Sequence, residues 1–104
     1  MLANLHPTKI RIVKIVFKAH LSGITSLKEK RSRLAPVLAG LRANHFCAVE
    51  ESGDRDVSFR LEMTIVVLAE DADTARSRAD SLIDWLEGKF RSEEWSDHQL
   101  EWLE

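Results

Sequence analysis

From Val57 to Ala69 the chain alternates. Phe59, Leu61, Met63, Ile65 and Val67 fall on one side, and Ser58, Arg60, Glu62 and Thr64 on the other. Val66 and Leu68 then make the end apolar on both sides. Period two with many β-branched residues predicts a strand with one face on a core. Lys9 to Leu21 repeats the pattern. Val13, Ile15, Phe17 and Ala19 form the better core face, and Ile12, Lys14, Val16, Lys18 and His20 form a mixed one. Two long strands of this kind belong in the middle of a sheet, with helices covering the apolar side.

The helices are legible between them. Ser26 followed by Glu29 is a capping box, in which the Ser26 hydroxyl accepts from the Glu29 N–H and the Glu29 carboxylate reaches back to the Ser26 N–H. Leu27, Leu34, Val37, Leu38 and Leu41 then share a helix face to about Ala43. Pro36 lies inside this helix, where it removes a hydrogen bond to the Ser32 carbonyl, so a kink or a break into two short helices is expected. Gly40 weakens its second half, and Asn44 is a candidate left-handed cap. Phe46 to Glu51 reads as a short strand, and Ser52 to Asp56 as a hairpin loop. A second helix starts at Asp71 or Asp73, carries the stripe Ala75, Ala79, Leu82, Ile83 and Leu86, and stops at Gly88.

Trp95 to Glu104 fits either period. His98, Leu100 and Trp102 alternate, whereas Trp95, Gln99, Trp102 and Leu103 would share a helix face. A strand completes β-α-β-β-α-β, the α+β, ferredoxin-like split β-α-β arrangement. It has a four-stranded antiparallel sheet, both helices on one face and the first and third strands central. Residues 1–8 read as a flexible N-terminal tail and 9–104 as a single domain. With 104 residues, 44% of them hydrophobic, the chain can bury a core without disulfides or metals.

Charge is unevenly placed. Residues 1–46 carry nine Lys/Arg and one acid, a net of +8; residues 47–104 carry a net of −10, and together they give the overall −2. Such asymmetry implies a polyanionic partner or halves that neutralise each other. The lone Cys47 excludes an internal disulfide. With no signal-like N-terminus, it points to the cytoplasm, and no apolar run is long enough to cross a membrane.

No catalytic constellation is visible. The histidines are scattered, and His45 with Cys47 offers too few ligands for zinc. Neither a metal nor a cofactor is expected. Glu50-Glu51 and Glu93-Glu94 read as solvated acids. Ser26-Leu27-Lys28-Glu29-Lys30-Arg31 concentrates positive charge at a helix start, with Arg33 a turn later. Free N–H groups at such a start favour phosphate, although Glu29 competes for them.

The mixed sheet face would present Lys14, Lys18 and Arg60 to phosphate. No aromatic is expected there from the two central strands, so base stacking is not; Trp102 reads as an edge-strand core residue. The apolar members of that face, Ile12, Val16, Val66 and Leu68, are candidates for self-association.

The first strand, the Ser26–Arg31 hexapeptide, the helix ending near Leu41-Arg42 and the short-strand hairpin together resemble the YlxP-like family, the bacterial domain of unknown function five-hundred-and-three. The resemblance covers about residues 10–103. Where the family usually has an Asp-Leu-Trp-Gln-Arg-like stretch, this chain has Asp56-Val57-Ser58-Phe59-Arg60, keeping the Asp and Arg only. The resemblance implies a small ferredoxin-like domain without an established activity and a role near RNA or the ribosome. The resulting expectation is a non-enzymatic binding module contacting phosphate through Lys28, Lys30, Arg31 and Arg33, with Arg60, Lys14 and Lys18. The alternative is a homodimer built on the open sheet face, with no nucleic-acid role.

Overall fold

The computed structural model describes residues 10–44 and 46–104. The elements run β1 (Arg11–His20), α1 (Leu27–Arg42), β2 (Cys47–Gly53), β3 (Arg60–Ala69), α2 (Ala72–Glu87) and β4 (Trp95–Trp102). The expected tail at 1–8, Lys9 and His45 lie outside the described residues. The strands form one sheet in the order β2-β3-β1-β4, every neighbouring pair antiparallel. This is the ferredoxin-like topology, and the ambiguous last segment is its fourth strand.

The two alternating strands are the central ones. They pair over their whole length, from Arg11 opposite Ala69 to His20 opposite Arg60. Their helix-side residues Val13, Ile15, Phe17, Met63, Ile65 and Val67 are fully buried. Leu34, Val37 and Leu41 of α1 close this core over β2, and Ala75, Ala79, Leu82, Ile83 and Leu86 of α2 close it over β1 and β3. Burying one such aliphatic or aromatic side chain is worth about 1.5–3 kcal/mol.

Several local expectations change. Pro36 does not break α1, which is one helix from Leu27 to Arg42. Pro36 has no N–H to offer the Ser32 carbonyl, and both residues are exposed, where water can replace the missing donor. The helix ends at Ala43 rather than on a left-handed Asn44; the Asn44 side chain instead donates to the Gly40 carbonyl at 3.1 Å. Ser26 is the N-cap, accepting from the Glu29 N–H, but the Glu29 carboxylate reaches back to the Thr25 N–H and hydroxyl, not to Ser26.

β3 begins at Arg60, and Phe59, expected in the core, is exposed. The hairpin turn is pinned by Asp54 at φ 55°, a left-handed position that a short polar side chain tolerates. Trp102 lies on the helix side of β4, yet the sheet edge leaves it open, with the Arg11 guanidinium 5.4 Å over its ring.

Candidate functional site

The basic stretch at the start of α1 divides into two sets. Lys30 points inward and is 2% exposed. Its Nζ donates to the carbonyls of Asp54 at 2.7 Å and Val57 at 2.9 Å, and lies 3.2 Å from Oε2 of Glu51. That carboxylate oxygen is buried and makes no hydrogen bond of good geometry, so the ammonium is its charge partner without being aligned on it. Lys30 therefore leaves the set of phosphate contacts: it bolts the β2–β3 loop to α1. The signal was present in the sequence, since Leu27, Lys30, Leu34, Val37 and Leu41 share one stripe.

Arg33 is also engaged. It grips the Glu94 carboxylate through both terminal nitrogens, at 2.7 and 3.3 Å, and donates to the Lys89 carbonyl at 3.1 Å. Glu94, read as a solvated acid, has a fully buried side chain. It also accepts from the Ser22 and Arg91 N–H groups at 2.9 and 2.8 Å. Burial pushes its carboxyl up, but the hydrogen bonds from Arg91, Ser22 and Arg33, together with the Arg33 charge, hold it below the usual carboxylate range.

The sheet-face cations all have acidic partners. Lys14 pairs with Glu101 at 3.1 Å, Lys18 with Glu62 at 3.6 Å and Arg60 with Asp54 at 3.8 Å. These pairs are solvated and weak.

Lys28 and Arg31 remain, both exposed and without an ion pair among the described residues; Arg55 on the β2–β3 loop shares that condition. Arg31 and Arg55 line a groove of about 560 Å³ between α1 and the β2 hairpin. Leu27, Leu34, Ala35 and Leu38 form its apolar wall, and Arg42 closes the far end, 3.8 Å from Glu50. Glu51 and Asp56 also line it. Sequence reasoning missed Arg55 because only the turn brings it across from Arg31.

The open sheet face carries Ile12, Val16 and Val66 half-buried and Leu68 exposed, as candidates for self-association. It is not free of aromatics. Trp95 begins β4 opposite His20, on the open face, and is 58% exposed. Phe59 turns out of the core at the same end, its ring 5.4 Å from that of His20. Among the described residues no three His, Cys, Asp or Glu side chains converge as metal ligands, and no helix is long and apolar enough to cross a membrane. The Cys47 thiol, pushed up by burial, lies 3.2 Å from the Leu41 carbonyl.

Among solved structures, SnoaB, a cofactor-independent oxygenase from Streptomyces nogalater, is similar at 20% identity and TM-score 0.54, over 88% of this chain and 91% of that one. The de novo designed protein Foldit4 is similar at 10% identity and TM-score 0.51, over 88% and 96%. A dimeric ferredoxin-like protein from an uncultured marine organism shows 14% identity and TM-score 0.45, over 89% and 95%. The first two likenesses are of fold alone. No curated protein matches the chain. A family model covers residues 12–98, nearly the whole ferredoxin-like unit including the Ser26–Arg31 helix start, and the chain belongs to that family, described as Protein of unknown function (DUF503).

Proposed function

We propose that the protein is a cytoplasmic, non-enzymatic module that binds a polyanion, with RNA free or in the ribosome as the ligand to test. The observation that carries this reading is the convergence of Arg31, Arg55 and Arg42 on one groove, with Lys28 three residues before Arg31 at the helix start. Arginine forks suit phosphate, and neither Arg31 nor Arg55 has an acid to give up first. Lys14, Lys18 and Arg60 would contribute by exchanging weak solvated partners for phosphate. Arg33 and Lys30 serve the fold instead.

The test is binding of total RNA and ribosomal subunits across a salt titration, with the Lys28→Glu/Arg31→Glu/Arg55→Glu variant alongside. Wild type should lose affinity linearly in log salt, and the variant should lower the slope by about 2. Equal binding by wild type and variant removes the groove from the reading. Absence of binding at low salt ends the RNA reading.

A second reading is favoured by Leu68, which is 45% exposed beside Ile12, Val16 and Val66 on the open face. Burying that patch in a second copy would give a homodimer. Sedimentation at high concentration and high salt should then show a dimer that Val16→Asp dissociates; a monomer under those conditions rejects it.

A further inference from the structure

One end of the open sheet face carries an aromatic platform. Register places Trp95, His20 and Arg60 in a row across β4, β1 and β3, all on the open face. Adjacent strands are about 4.8 Å apart, so this row spans about 10 Å. Phe59 stands at its β3 end, 45% exposed, with the His20 ring and the Arg60 guanidinium each 5.4 Å from its own ring.

The three tryptophans are treated differently. Trp85 has the Lys89 ammonium 4.8 Å over its ring, and Trp102 has Arg11. Trp95 is the most exposed of the three and has no ring or cation partner among the described residues. An indole left open next to a cation–aromatic stack is a surface on which flat, electron-poor rings stack.

We propose that Trp95 and Phe59 are a stacking site for unpaired bases of a single-stranded nucleic acid, with Arg60 and Lys18 taking the adjoining phosphates. This deepens the polyanion reading and rests on it. Duplex hides its bases, whereas single strands splay them onto exposed aromatics. Arg60 and Lys18 hold Asp54 and Glu62 only at 3.8 and 3.6 Å, at solvated positions. Lys18 has an acid on either side, Glu62 on β3 and Asp97 on β4, so a phosphate at Lys18 has to displace the Glu62 pair. The loop between Gly53 and Arg60 joins the platform to the groove, since it carries Arg55 near its start and Phe59 at its end.

The experiment measures anisotropy of labelled short oligouridine, its deoxythymidine counterpart and a duplex RNA. The proteins are wild type, Trp95→Ala, Trp95→Phe, Phe59→Ala and Arg31→Glu/Arg55→Glu. Both aromatic positions are exposed, so the fold is kept, and circular dichroism checks it. Trp95→Ala should weaken single-strand binding roughly tenfold with the salt slope unchanged, and Trp95→Phe should restore most of it. Duplex binding should be insensitive to Trp95. Preference for uridine over deoxythymidine identifies RNA as the source; equal binding identifies single strands of either kind, and both support stacking. If Trp95→Ala binds as wild type while the arginine variant loses binding, the phosphate reading stands and the platform is overturned. If no probe binds, both readings fail together. If Trp95→Ala instead turns a dimer into a monomer without changing RNA affinity, the platform is a subunit contact and the stacking proposal is overturned.

Discussion

Lys30 and Glu94 are charged side chains held inside the fold, each joining segments distant in sequence. Lys30→Met removes three contacts at once and leaves the Glu51 carboxylate without its charge partner. Breaking such a pair costs about 3–5 kcal/mol when fully buried, and Glu51 is partly solvated, so a loss of about 2–4 kcal/mol is expected in urea denaturation. A loss below about 1 kcal/mol would show that the loop is not held this way. Glu94→Gln keeps the shape but loses the charge that Arg33 grips. Because the Glu94 carboxyl is held low in the fold, its contribution is complete above the unfolded carboxylate range, near pH 4.3, and fades as pH falls through the lowered folded value. The stability gap between wild type and Glu94→Gln should therefore be widest near neutral pH and shrink under acid. A gap that stays constant into acid would exclude the linkage.

At the scale of elements, α1 and α2 meet where Gly40 admits Trp85. A Cβ at position 40 would stand 2.7 Å from the tip of the Trp85 ring. Alanine gains about 1 kcal/mol of helix propensity there, yet it must push the indole away. Trp85 is partly exposed and can swing outward, so Gly40→Ala should shift stability little while red-shifting tryptophan emission and releasing Lys89 from the ring. Unchanged emission would mean that the helices part instead. The element order, the Ser26 cap, the Gly88 stop and the central strands were legible because periodicity and capping are local, while the start of α2 was left between Asp71 and Asp73 and falls on Asp71. The site was legible only in part. Lys28 and Arg31 stayed on the surface as expected, but the fates of Lys30, Arg33 and Glu94 depend on segments far away in sequence, up to 72 residues for the bond from Ser22 to Glu94. Phe59 was misplaced because its alternation continues past the point where β3 begins at Arg60. Trp95 could not be assigned a face until β4 had a register with β1.

Across the whole molecule the two oppositely charged halves are interleaved. Among the described residues, five ion pairs join a cation of the first half to an acid of residues 47–104: Lys14–Glu101, Lys18–Glu62, Lys30–Glu51, Arg33–Glu94 and Arg42–Glu50. The solvated ones are each worth about 0.2–1 kcal/mol and are screened by salt, whereas the Lys30 and Arg33 pairs are shielded. Raising sodium chloride from low concentration to about 1 M should therefore lower the urea midpoint slightly. The dependence should persist in Lys30→Met and weaken when Lys14 and Lys18 are neutralised. A steep loss carried by Lys30 would reverse that assignment. The buried ammonium has one further consequence, for chemical labelling. An amine-reactive acylating reagent will modify Lys14, Lys18, Lys28 and Lys89 at once, but Lys30 only when the Asp54–Phe59 loop lifts off the helix. Its acylation rate is thus a clock for that loop, which carries Arg55 at one end and Phe59 at the other, and any ligand spanning both should slow it.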